Sequence, residues 1–125
     1  MTETTSNAKR YTYTDQWGND LTVFFAKSTY DAGSGLFVEC YVETVDEYDG
    51  ETYEEAYTPV SVNFGVQTES DTIFVDANNS GHLVEWMLAK GLATLTGNAI
   101  PSGFCVYPEV RLSQEFIDGL YDLAA

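Results

Sequence analysis

Apolar and polar residues alternate with period two from the first folded stretch. In Lys9 to Thr14, Tyr11 and Tyr13 fall on one side and Thr12 and Thr14 on the other, the pattern of a half-buried strand. Asp15-Gln16-Trp17-Gly18-Asn19-Asp20 is turn-rich, and Gly18-Asn19 suits a tight hairpin connection. Leu21 to Lys27 is the predicted return strand, with Leu21, Val23 and Phe25 set against Thr22 and Phe24. Asp31-Ala32-Gly33-Ser34-Gly35 breaks the pattern. It resumes from Leu36 to Thr44, with Leu36, Val38, Cys40 and Val42 toward a core and Phe37, Glu39, Tyr41 and Glu43 away from it. Asp49-Gly50 marks a turn within the connection from Asp46 to Glu55. Tyr57 to Phe64 predicts a fourth strand with Val60, Val62 and Phe64 inward, and Pro59 restricts it to an edge or a strand start. Thr72 to Asp76 predicts a short fifth strand.

The period then changes. Leu83, Trp86, Met87 and Lys90 recur at helical spacing. Asn79 or Ser80 is placed to cap this helix, Lys90 lies in its last turn, and Gly91 ends it. Gly97 to Gly103 reads as loop, and Phe104 to Tyr107 as a short strand stopped by Pro108. Ser113 is placed to cap a C-terminal helix with Phe116, Ile117, Leu120, Tyr121 and Ala124 on one side and Glu115, Asp118 and Asp122 on the other. Strands mostly precede helices. That order predicts an α+β fold: an antiparallel sheet of about five strands with two helices, one between late strands and one at the C-terminus. Meander connections set neighbouring strands side by side, with the acids on one sheet face.

Length bounds the organisation. At 125 residues the chain is sized for one domain. Residues 1–8, rich in Thr and Ser, predict a disordered tail, and residues 9–125 a single α+β domain. Seven Phe and nine Tyr supply a core. No apolar run approaches the roughly 18 residues of a membrane span, and the first ten residues hold no apolar signal core. Cys40 and Cys105 sit in apolar runs without a CxxC pairing, which predicts buried thiols in a reducing cytoplasm.

Charge changes the picture most. Twenty acids stand against five bases, a formal net charge of −15. Solubility alone asks for a magnitude of roughly 2–8. Eight carboxylates crowd one stretch: Glu39, Glu43, Asp46, Glu47, Asp49, Glu51, Glu54 and Glu55. No Lys or Arg occurs between Lys27 and Lys90. Tyr41, Val42, Tyr48, Tyr53 and Tyr57 interleave with the acids, unlike a disordered acidic tail. On a strand, Glu39 and Glu43 fall about 13 Å apart on one exposed face. Such a surface disfavours nucleic acid and anionic membranes as partners and favours a basic protein.

Residues 73–108 resemble the C-terminal half of a family of small acidic proteins, a domain of unknown function encoded on bacterial conjugative elements and plasmids. The resemblance rests on Phe74-Val75-Asp76, Asn78-Asn79, Gly91, Thr96-Gly97, Ser102-Gly103-Phe104-Cys105 and Tyr107-Pro108, with Trp17-Gly18 as a marker near the start. It implies no activity. It implies a setting in which such proteins meet host restriction and CRISPR systems.

Catalytic readings are weaker. Paired carboxylates doing acid–base work need environments that split their pKa values, and these acids fall in turns and on outer faces. Asp46, Asp49, Glu51 and Glu54 offer oxygen ligands without the spacing of a calcium loop. His82 is the only histidine, which excludes a His-based zinc or iron site. A thiol enzyme needs Cys40 or Cys105 beside His82, which the pattern does not support. The glycine segments match neither a dinucleotide fingerprint nor a P-loop.

The expectation is a non-enzymatic, cytoplasmic protein without cofactor or dedicated metal. It presents a DNA-like acidic surface to the basic DNA-binding surface of a host CRISPR or restriction complex and inhibits it. The eight carboxylates, with Tyr41 and Tyr48, are the expected contact residues, and direct contact with nucleic acid or membrane is not expected. The alternative is an interaction or maintenance protein of the mobile element.

Overall fold

The computed structural model describes residues 8–29, 36–64 and 69–123. Strands β1 (Tyr11–Thr14), β2 (Asp20–Thr29), β3 (Leu36–Val45) and β4 (Thr52–Pro59) form an antiparallel meander in that order. A second sheet, in the order β5-β6-β8-β7, is built from β5 (Ser61–Val62), β6 (Thr72–Val75), β7 (Ala93–Ser102) and β8 (Cys105–Leu112). Helix α1 (Gly81–Ala89) links the halves of the second sheet, and α2 (Gln114–Asp118) follows it. The final strand β9 (Tyr121–Asp122) returns to the first sheet and pairs in parallel with Ala26 and Lys27 of β2. The fold is α+β and mostly antiparallel, with one helix between late strands and one near the C-terminus.

Val60 couples the two sheets. The predicted strand Tyr57 to Phe64 divides around it into the end of β4 and β5. Its N–H donates to the Val38 carbonyl at 2.9 Å, and its carbonyl accepts from the Asp76 N–H at 3.1 Å. Its side chain is fully buried between the sheets. Pro59 sits just ahead, where β4 is an edge and a missing N–H costs no ladder bond.

The inward residues of both sheets and α1 share one core. Tyr13, Val23, Phe25, Val38 and Cys40 face Ile73, Val75, Val110 and Leu112, with Leu83, Val84 and Met87 of α1 and Phe116 of α2 buried with them. Phe25 meets Phe116 edge-on at 4.9 Å, and Tyr11 meets Trp86 edge-on at 5.9 Å. Each such aromatic contact adds about 0.5–1.5 kcal/mol to simple burial.

Several stretches differ from the pattern reading. The strand expected at Phe104 to Tyr107 and stopped by Pro108 begins at Cys105 and runs through Pro108 to Leu112. Gly97 to Ser102 is strand, not loop, with Gly103 in the turn that follows: β7 runs through it with a bulge between Leu95 and Ala99. Buried Glu109 holds that bulge, accepting from the Thr96 hydroxyl at 2.6 Å and the Asn98 amide at 2.9 Å. The edge position of β7 tolerates Pro101. The C-terminal helix stops at Asp118 and gives way to β9, with Gly119 as its C-cap. A Cβ on Gly119 would lie 2.7 Å from Lys9 Cβ, so only glycine fits the close approach. Ser80 is the N-cap of α1, but its hydroxyl donates to the Pro59 carbonyl at 2.9 Å and accepts from no helix N–H. Residues 1–7 of the expected tail, the Asp31–Gly35 break and Ala124 lie outside the described residues, while Ala8 is buried.

Candidate functional site

All eight carboxylates of the acidic stretch lie on the β3–β4 hairpin. Its register sets Glu43 opposite Glu54, Val42 opposite Glu55 and Val45 opposite Thr52, with an irregularity between Cys40 and Tyr41. Like charges directly opposite across a ladder are destabilising. The Glu43–Glu54 pair therefore needs a counter-charge, and the sequence around it supplies none.

Arg10 provides it from just before β1. Its Nη2 donates to Glu43 at 3.0 Å and to Glu54 at 3.1 Å, and its Nε donates to Glu43 at 3.3 Å. The guanidinium carbon lies 4.2 Å from the centre of the Phe24 ring, and Phe24 stacks on Tyr41 at 5.4 Å. Phe24 was expected to face away from the core. It does, yet it is only 1 % exposed. The outer sheet face is thus an Arg–Phe–Tyr stack clamped by two glutamates, and the expectation of a face without counter-charge is corrected there. The pattern reading missed Arg10 because no local signal links it to acids 33 and 44 positions away. Only the β1–β2–β3 register brings them together.

The turn uses two more acids internally. Asp46 accepts from the Tyr48 N–H at 2.7 Å and the Asp49 N–H at 3.3 Å, and Asp49 accepts from the Glu51 N–H at 2.8 Å. Gly50, at φ +72°, completes the reversal. Glu39 accepts from the Tyr41 hydroxyl at 3.3 Å, and burial raises the Tyr41 phenol above its usual range. Glu47, Glu51 and Glu55 are exposed, and Tyr48 is fully so.

The acids do not share one sheet face. Glu39, Glu43 and Glu54 lie with Arg10 on the outer face, Glu55 faces the other way opposite Val42, and Asp46 to Glu51 form the tip. What the fold brings together is one projecting hairpin, charged on both faces and at its end.

The other candidate chemistry is separate. Cys40 is fully buried, and burial pushes its thiol well above the ordinary range; Cys105 is half-buried. His82 Nδ1 shares a 2.6 Å hydrogen bond with the Tyr13 hydroxyl, whose buried phenol is pushed up to about 12. Among the described residues, no group of three His, Cys, Asp or Glu is placed to hold a metal ion. Nor is any described helix long and apolar enough to cross a membrane.

Residues 25–121 match a known family, the domain of unknown function DUF4313. The chain belongs to the DUF4313 family. The DUF4313 match begins within β2 and ends at β9, so it spans the whole acidic hairpin and leaves Arg10 outside it. No curated protein and no solved structure matches this DUF4313 chain.

Proposed function

We propose that this protein is an acidic DNA mimic. Its β3–β4 hairpin occupies the cationic groove of a host DNA-binding defence complex, of the CRISPR or restriction kind, and excludes DNA from it. The setting is a protein carried on a conjugative element or plasmid and acting in the cytoplasm, without catalysis, cofactor or nucleic acid of its own. One observation carries the reading. Eight carboxylates are fixed on a hydrogen-bonded hairpin, and Arg10 is the one base bonded to any of them among the described residues. A groove lined with Lys and Arg gains the same release of counterions from such a surface as from phosphates.

The structure also selects the variant that tests it. Glu43 binds Arg10, and Asp46 and Asp49 hold the turn, so neutralising them mixes folding with binding. Glu47, Glu51 and Glu55 are exposed. The triple variant E47Q/E51Q/E55Q keeps the fold. It should weaken inhibition of DNA binding by a reconstituted CRISPR or restriction complex, with a shallower salt dependence. Full inhibition by the triple variant, or inhibition that ignores ionic strength, ends the proposal.

A second reading has its own observation. From Gly91 to Pro108 the chain has no charged residue, and Phe104, Val106 and Leu95 of the β7–β8 arm are largely exposed. A maintenance or interaction protein would bind through that arm. Its complex would survive high salt and be lost in F104A/V106A.

A further inference from the structure

A cleft of about 450 Å³ lies away from the acidic hairpin tip, between the β1–β2 turn, the end of β4 and the start of α1. Trp17 and Tyr57 line it, 74 % and 39 % exposed. Gln16 contributes a side-chain amide, while the Asn78 side chain is hydrogen-bonded to Tyr107 and the Thr58 hydroxyl to Ser80. His82 lines it with Tyr13, to which it is hydrogen-bonded. Trp17 and Asn78, 61 positions apart in the chain, meet here with Asn79. Among the described residues, no Asp, Glu, Lys or Arg lines the cleft, in a chain with 20 acids and 5 bases.

The fold holds Trp17 in place. The Asp15 carboxylate accepts from the Trp17 N–H at 2.9 Å and the Asn19 N–H at 2.8 Å. Gly18, at φ +84°, closes the turn where a side chain would be strained. The turn fixes the Trp17 backbone, and its indole is left mostly in water as a surface on which a ring can stack.

We infer that this cleft binds an uncharged planar heterocycle, of the nucleobase or nucleoside class. Three features select that chemistry. Flat rings stack on exposed Trp and Tyr without regard to sequence. The Gln16 side-chain amide matches the paired donor and acceptor edge of a base. The lining offers a cation no carboxylate, and the net charge of −15 repels an anion. The volume lies within the range of small-ligand sites. The inference is independent of the DNA-mimic reading, since it uses neither the hairpin carboxylates nor a partner protein.

The test is a two-dimensional NMR titration of the full chain with the four ribonucleosides and their 5′-monophosphates. The two indole N–H signals, from Trp17 and Trp86, are assigned with W17F. The expected result is a saturable shift of the Trp17 indole and of the Asn78 and His82 amides, with Trp86 unmoved. The nucleoside should bind more tightly than its monophosphate at low salt, and the gap should close as salt rises. W17A should weaken binding by at least about fivefold, the worth of one base–aromatic stack, and leave the rest of the spectrum in place. Loss of the folded spectrum in W17A would shift the comparison to W17F, which keeps the platform and should retain most of the affinity. No saturable shift with any nucleoside, an equal response to a neutral methyl glycoside, or unchanged affinity in W17A overturns the inference.

Discussion

Replacing Arg10 with Ala removes the counter-charge from the opposed glutamates. In the structure Arg10, Glu43 and Glu54 are 25 %, 25 % and 20 % exposed at their side chains, so water screens them only in part. A hydrogen bond to a charged group contributes about 1.5–3 kcal/mol net, and less where solvent reaches it. The guanidinium over Phe24 adds about 0.5–1 kcal/mol at a site of this exposure. Truncation also leaves two carboxylates facing each other across the ladder, a further cost of a few tenths to about 1 kcal/mol. Partial non-additivity among neighbours brings R10A to about 2–4 kcal/mol of lost stability.

Urea unfolding, which leaves ionic strength free to vary, measures it. The loss should be largest at low salt and shrink near 1 M, where the screening length is about 3 Å. A cycle with E43Q/E54Q isolates the electrostatics. In the wild-type background the double substitution destabilises, because it weakens the clamp. In the R10A background it stabilises, because it removes repulsion that nothing offsets. R10K keeps the charge but loses the fork and the ring contact, and should fall between wild type and R10A. An R10A cost below about 1 kcal/mol, or the same sign for E43Q/E54Q in both backgrounds, would refute the clamp.

Other features lead to separate expectations. Glu109, 1 % exposed and accepting from Thr96 and Asn98, should cost about 2–4 kcal/mol as E109A and clearly less as E109Q, read by urea unfolding; equal losses would mean that the bulge does not depend on the carboxylate. Backbone N–H donation from Asn19, then from Trp17, holds the Asp15 carboxyl below its usual 3.8. Its folded value thus lies below its unfolded one, so its stabilisation is full above pH 3.8 and lost as pH falls through the lower folded value; the Trp17 indole signal should move in that window and D15N should abolish the movement. The Cys40 thiol, fully buried and raised by that burial, should resist alkylation until the chain unfolds, with a labelling rate that follows urea; rapid labelling of the native protein would place Cys40 at a surface.

The local pattern revealed the strands because alternation is a short-range signal. Tyr11 to Thr14 and Leu36 to Thr44 each show their buried face within a few residues, while the short run Thr72 to Val75 is buried on both faces. The helix start at Ser80 and its end at Gly91, with φ +74°, were legible for the same reason. Long-range structure was not. Gly97, Asn98 and Pro101 read as loop because only the neighbouring Glu109 turns them into a bulged edge strand. The pattern extends the last helix too far because Leu120 and Tyr121 continue its apolar spacing, whereas β2 offers Tyr121 and Asp122 a strand edge at Ala26 and Lys27. The acidic stretch was plain in sequence, but its division between two faces and a tip required the register of β3 against β4. Arg10 and the Trp17–Asn78 cleft had no sequence signal as partners, since each joins residues far apart in the chain.

The position of the acidic stretch bears on what its charge is for. β4 is an edge of the first sheet, and an unpaired edge invites another chain to add a strand. Glu54, Glu55 and Pro59 along that strand are the usual means of blunting it. Edge protection therefore explains some of the acids without any partner. It does not explain the tip. Glu47, Tyr48, Asp49 and Glu51 lie in the turn beyond the ladder, where no edge needs guarding, and Tyr48 there is wholly exposed. Solubility does not explain it either, because the remaining acids already outnumber the five bases. Glu47 and Glu51, exposed and not used to hold the turn, are thus the part of the charge that folding leaves over. A groove built for phosphates would engage that part first, at the exposed turn of the β3–β4 hairpin.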